Sequence, residues 1–198
     1  MVRTGLYFGS FNPVHLGHLA IAGYMTEYAG LDQLWFVVSP HNPLKKKETL
    51  LDDRQRYYLV QLATGDSDRL KASDIEFSLP VPSYTVNTLE YLKERHPGNE
   101  FILVMGEDNL YTLHKWKNAP EIIKNHDIIV YPRPGVKKPS NALLDELIEN
   151  ARIRRVDAPL MEISSTFIRE GIRDGKDMSY FLPGAVWQYI REMHFYSR

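Results

Sequence analysis

Two histidines three residues apart, His15 and His18, close the string Gly9-Ser10-Phe11-Asn12-Pro13-Val14-His15-Leu16-Gly17-His18. The string follows the apolar run Leu6-Tyr7-Phe8 and precedes a helix-like stretch. A buried strand, a glycine turn, paired imidazoles and a helix start together make an anion site. The turn and the helix N-terminus present unpaired backbone N–H groups, and the helix dipole favours negative charge there. Gly9 lets the backbone approach a phosphate, and Pro13 stiffens the turn. At i and i+3 around a helix start, the two imidazoles can point to one side. No cysteine or carboxylate joins them in the string, so they suit a triphosphate better than a metal. On these residues alone, an ordinary strand-to-helix connection with capping side chains stays open.

Three further strings carry possible chemistry. In Ile163-Ser164-Ser165-Thr166-Phe167-Ile168-Arg169, three hydroxyl residues precede an apolar-periodic run. That pattern is a helix N-terminus signal, and its N–H groups, hydroxyls and an arginine one turn in would hold phosphate oxygens; a plain N-cap with a surface arginine is the alternative. Ser83-Tyr84-Thr85-Val86-Asn87-Thr88-Leu89 reads as another capped helix start. Gly106-Glu107-Asp108 follows the apolar run Phe101 to Met105. A carboxylate at the carboxyl end of a strand can bind ribose hydroxyls. Trp116, in a loop beyond it, reads equally as a core residue.

These residues need a scaffold. Apolar runs at Leu6 to Phe8, Leu34 to Val38, Phe101 to Met105 and Ile128 to Tyr131 fit strands buried on both faces of a parallel sheet. Helices are predicted over Leu16 to Ala29, Asp52 to Thr64 and Tyr84 to Arg95. The second is capped by Asp52 or Asp53, with Tyr58, Leu59 and Leu62 on one face. The third ends at His96-Pro97-Gly98. Towards the C-terminus, Asn141 to Asn150 and Pro183 to His194 read as helices, with a short strand at Arg152 to Val156. The stretch Tyr131 to Pro139, with three prolines and a glycine, reads as a surface loop. Strands alternating with helices predict an α/β fold: a Rossmann-like doubly wound parallel sheet with helices on both faces. In such sheets ligands bind beyond the carboxyl ends of the strands, where the chemical strings fall.

A chain of 198 residues with 43% hydrophobic content predicts one domain, residues 1–198. A formal charge of −1 supplies no basic field for nucleic acid. With no cysteine, disulfides and thiolate metal sites are excluded. Neither a signal-peptide-length apolar stretch at the start nor a membrane-length run is present, so a cytoplasmic protein without a membrane partner is expected.

The strings, in this order, resemble the nucleotidyltransferase superfamily, and Gly9 to His18 is similar to the bacterial nicotinate-nucleotide adenylyltransferase family. The likeness runs from Gly5 to Arg169. It implies ATP and nicotinate mononucleotide as partners, joined to the dinucleotide with release of pyrophosphate. By the same resemblance, Gly9, Ser10, Phe11, His15 and His18 bind ATP, with His18 the foremost transition-state contact. Ser164, Ser165, Thr166 and Arg169 hold the β- and γ-phosphates, so that segment 163–194 completes the ATP site. Gly106 and Asp108 lie by the ribose. Ser83, Tyr84, Thr85 and Trp116 bind the mononucleotide, and Mg²⁺ rides on the phosphates with no dedicated protein ligands. Two departures stand out. The family's Pro-Pro-His-Lys (or Arg) is Ser39-Pro40-His41-Asn42-Pro43 followed by Leu44, which leaves Lys45 and Lys46 both as candidates for the catalytic cation. The family's usual aromatic after the tryptophan is Lys117. Two other readings stay open: a pantetheine-phosphate type adenylyltransferase and a nucleotide-binding regulatory protein without turnover. A homo-oligomer is neither required nor excluded.

Overall fold

A computed structural model describes residues 1–40 and 50–197. Strand β1 (Val2–Gly9) is followed by α1 (Leu16–Glu27), β2 (Gln33–Val38), α2 (Asp53–Thr64), β3 (Leu70–Ser73) and α3 (Thr85–Arg95). After these come β4 (Asn99–Gly106), α4 (Glu107–Leu110), α5 (Ala119–Asn125), β5 (Ile128–Tyr131), α6 (Ala142–Asn150) and β6 (Ile153–Arg155). Helices α7 (Ser165–Arg173) and α8 (Gly184–Glu192) follow. The strands form one sheet in the order β3-β2-β1-β4-β5-β6, parallel throughout. The order reverses between β1 and β4, and the crevice at their carboxyl ends is where a doubly wound sheet places its ligand. The expected fold class is the one observed.

The period of two along each strand divides the core between the two faces. Leu6, Val37, Phe101, Leu103 and Val130 pack with α3, α5 and α6. Tyr7, Phe36, Ile102, Val104 and Tyr131 pack on the other face with α1, α2, α7 and α8. At the amino end of β1 the buried Thr4 hydroxyl accepts from Gln33 Nε2 (2.8 Å) and Asn99 Nδ2 (3.1 Å), which ties the three central strands together. Asp52 caps α2, its carboxylate accepting from the Arg54 amide at 3.0 Å, and Asn141 caps α6 in the same way at Leu144.

Two expectations are corrected. The buried face of α2 is Arg56, Leu59 and Val60, whereas Tyr58 is exposed and stands against Tyr189 of α8. The stretch from Tyr131 to Pro139 is not all surface: Tyr131 ends β5 and is buried, and Arg133 turns into the crevice.

Candidate active site

A cavity of about 450 Å³ opens at the carboxyl ends of β1 and β4. Its walls include Gly9, Ser10, Phe11, His15 and His18 from the β1–α1 connection, and Ser164, Ser165, Thr166 and Arg169 from the start of α7. Asp108 and Asn109 of α4, with Tyr131 at the end of β5 and Arg133 beyond it, close the other side. Two strings far apart in sequence therefore meet across one space.

The β1–α1 connection is held from within by Phe11. Its ring is buried and packs edge-on against Tyr7 (5.7 Å), Phe36 (5.4 Å) and His18 (5.1 Å). The residue sits at φ 43°, a left-handed backbone that costs a non-glycine residue on the order of 1–3 kcal/mol. Full burial of a phenylalanine side chain supplies about as much, roughly 1.5–3 kcal/mol. The Phe11 ring also explains Gly9. A Cβ at Gly9 would lie 2.7 Å from the ring, so the glycine is required by this packing, a reason the sequence did not display.

His15 takes the N-cap position of α1 with extended backbone. Its amide donates to Nδ1 of His18 at 3.2 Å, and the two rings stack at 3.7 Å and 28°. Both imidazoles thus face one side, as expected from their spacing. With Nδ1 accepting, a neutral His18 carries its proton on Nε2, which makes that atom the donor. Burial, with the Arg133 guanidinium adding to it, pushes the His15 pKa down to about 3. His15 is therefore neutral at physiological pH, and a stacked pair of imidazolium cations is avoided.

The start of α7 closes onto the same loop. Ser164 caps the helix, its hydroxyl accepting from the Phe167 amide at 3.1 Å. The Ser165 hydroxyl donates to the Pro13 carbonyl at 2.9 Å. Arg169 donates through Nη1 to the Asn12 carbonyl at 2.8 Å and through Nη2 to the Thr166 hydroxyl at 3.3 Å. These groups hold the loop main chain as well as lining the cavity.

On the far wall, Gly106 permits a tight corner, because a Cβ there would meet Asp108 Oδ1 at 2.5 Å and Arg133 Cγ at 2.9 Å. Arg133 Nε pairs with Asp108 Oδ1 at 3.3 Å. The buried hydroxyls of Tyr7 and Tyr131 share a hydrogen bond of 3.0 Å behind them. Sequence reasoning passed over Arg133, Tyr7 and Tyr131. The available signal was that Arg133 lies two residues beyond the carboxyl end of an apolar run, where doubly wound sheets bind ligands.

The remaining candidates lie elsewhere. Tyr84 is the N-cap of α3 and Thr85 its first residue, with Ser83 just before them. Half-buried Trp116 and Tyr84 both pack against the core on the α3 face of the sheet. Lys117 Nζ stands 4.4 Å from the centroid of the Tyr84 ring, joining these two segments. None of Ser83, Tyr84, Thr85 or Trp116 lines the 450 Å³ cavity. Lys45 and Lys46 lie outside the described residues.

Comparison with known proteins gives the following. The cytidylyltransferase-like family model matches residues 6–171. A protein of Flavobacterium johnsoniae named "Probable nicotinate-nucleotide adenylyltransferase" is 57% identical over 197 residues, 100% of each chain. A protein of the same name from Bacteroides thetaiotaomicron is 48% identical, over 96% of this chain and 92% of that one. Among solved structures, Plasmodium falciparum nicotinic acid mononucleotide adenylyltransferase complexed with NaAD superposes with a TM-score of 0.81. That match covers 99% of this chain and 98% of the other at 18% identity, a likeness of fold.

Proposed function

The chain belongs to the cytidylyltransferase-like family and, within it, to the nicotinate-nucleotide adenylyltransferases; from that premise we propose how its residues join ATP to nicotinate mononucleotide. The observation that carries the proposal is the meeting of the His15–His18 pair and the Ser164–Arg169 helix start around one cavity at the sheet's switch point. A phosphate oxygen of the mononucleotide attacks the α-phosphorus of ATP in line. The new O–P bond forms as the bond to the bridging oxygen breaks, and pyrophosphate leaves with that electron pair. The protein's task is to position the reactants and stabilise charge on phosphate oxygens.

His18 Nε2–H is the donor to the α-phosphate in the transition state, and neutral His15 supports it on the β side. The N–H groups of Gly9, Ser10 and Phe11 belong to the same grip. Ser164, Ser165, Thr166 and Arg169 receive the leaving pyrophosphate at the α7 N-terminus, so segment 163–194 completes the ATP site of a single domain. A guanidinium has five N–H donors, so Arg169 can hold Asn12 and still reach phosphate. Asp108, steadied by Arg133 and fitted in by Gly106, accepts from the ribose hydroxyls. Lys45 or Lys46 supplies a further cation. Ser83, Tyr84, Thr85 and Trp116 take the pyridine ring and its carboxylate, with the amides at the start of α3 as donors.

The cavity offers imidazoles, hydroxyls and guanidiniums, and Asp108 is its carboxylate. That set fits an Mg²⁺ carried chiefly by the nucleotide's own phosphates. When bound, the ion neutralises charge on the phosphates. Among the described residues no helix is long and apolar enough to cross a membrane, and we place the reaction in the cytoplasm.

Release of pyrophosphate from ATP, measured with nicotinate mononucleotide and separately with its amide counterpart, tests the reading. An amide presents an NH₂ donor to the donors of α3, and an unpaired buried group costs on the order of 1–3 kcal/mol. The acid should therefore be preferred at least about tenfold in kcat/KM. Equal values would mean that the carboxylate is not recognised.

A further inference from the structure

Arg56, on the buried face of α2, is 0% exposed. A fully buried guanidinium is costly unless its donors are satisfied. Here the four hydrogen bonds described for it all go to main-chain carbonyls. Nε donates to Leu51 at 2.8 Å, just before α2 begins. Nη1 donates to Ser10 at 2.6 Å and to Ser39 at 2.9 Å, and Nη2 to Pro40 at 3.3 Å. Ser10 follows β1 and Ser39 follows β2, so one nitrogen ties together the loops leaving two neighbouring strands. Ser10 and Ser39 both line the cavity.

We propose that Arg56 is a positioning residue for the triphosphate, acting through the main chain of the loop after β1. The Ser10–Phe11 peptide is trans, so its carbonyl and its N–H point in opposite directions. A guanidinium on the Ser10 carbonyl therefore fixes the Phe11 amide pointing away from Arg56. A charged donor on the carbonyl also polarises the peptide, which strengthens the amide as a donor. Core packing alone would be served by an apolar side chain at this place in α2. A cation spread over four carbonyls of three loop segments serves to set their relative geometry.

The inference rests on the cavity being the triphosphate site, and the test separates the two. Wild type, Arg56→Lys and Arg56→Met are compared by urea unfolding, by calorimetric titration with ATP, and by kcat and both KM values. Lysine keeps the charge but cannot span the four carbonyls. Displacements of an ångström in positioned groups cost up to about 100-fold, so Arg56→Lys should lose roughly tenfold or more in kcat per folded molecule. ATP affinity should fall about fivefold or more, while KM for the mononucleotide stays within about twofold. Arg56→Met, where it folds, should fall below Arg56→Lys. If Arg56→Lys keeps its ATP affinity and its kcat per folded molecule within about twofold of wild type, so that any loss follows the unfolded fraction, the proposal is overturned. A wild type that binds ATP without turnover would instead overturn the proposed reaction, and the ATP titration would still decide the role of Arg56.

Discussion

His18 receives the His15 amide on Nδ1 and lines the cavity with the rest of its ring. In the proposed reaction its part is the Nε2 proton, presented by a ring that Phe11 and His15 pack into place. His18→Ala should leave the fold largely intact and lower kcat/KM by about 100-fold or more, the scale of one lost transition-state donor. Turnover within about twofold of wild type would remove His18 from the mechanism. His15 makes a different prediction, because its environment refuses the proton. Unfolded, its imidazole is protonated near 6.5, whereas folded it stays neutral down to about 3. Between those values the unfolded chain binds more protons, so stability falls as the pH drops through that window. From pH 7 to pH 5, His15 alone should remove about 2 kcal/mol. Urea unfolding of His15→Gln across that range should show a flatter pH dependence by about this amount, and an unchanged slope would place the proton elsewhere.

Helix α7 is the element that brings the second half of the proposed phosphate grip to the first. Its N-terminus is fixed by the Ser164 cap and docked through Ser165 and Arg169 onto the Pro13 and Asn12 carbonyls. Arg169→Ala should weaken ATP more than the mononucleotide in separate calorimetric titrations. Equal weakening of both would argue that Arg169 supports only the loop. Much of this level was visible in the sequence, since caps and periods are local. Asp52 was legible as a cap, Asn141 and the Ser164-Ser165-Thr166 string as helix starts, and the four short apolar runs became β1, β2, β4 and β5. Strand β3 was missed because Leu70–Ser73 is a four-residue edge strand with a single neighbour and no apolar run. Short α5 was hidden by Pro120 in its first turn. Arg133 and Arg56 went unread as parts of the site, and the packing role of Phe11 was not visible, for another reason. Each acquires its role from contacts between segments distant in the chain, which no local period encodes.

At the scale of the whole molecule, the last described turn of the chain closes onto its first loop. Helix α8 packs on α2, where Tyr189 donates to Gln55 Oε1 at 2.9 Å and its ring meets Tyr58 at 4.8 Å. Beyond α8, Phe195 packs edge-on against Tyr189. Tyr196 then donates its hydroxyl to Asn12 Oδ1 at 2.7 Å, across 184 residues of sequence. The same oxygen accepts from the Leu51 amide at 3.2 Å. Burial pushes the Tyr196 phenol well above its ordinary pKa, so the hydroxyl remains a donor throughout the working pH range. Asn12 is thus gripped at its side chain by Tyr196 and Leu51, and at its carbonyl by Arg169. Tyr196→Phe removes one of these holds without changing the shape of the packing. It should cost about 1 kcal/mol, which for a chain of this size lowers Tm by roughly 2–4 °C. If the hydroxyl acts through Asn12, a double-mutant cycle with Asn12→Ala should show a coupling of about 1 kcal/mol in unfolding free energy. In the same cycle, ATP affinity should fall more than that for the mononucleotide, because Asn12 belongs to the loop proposed to grip the phosphates. Additive effects of the two substitutions would mean that the C-terminal turn supports the core alone, and that the phosphate loop keeps its shape without it.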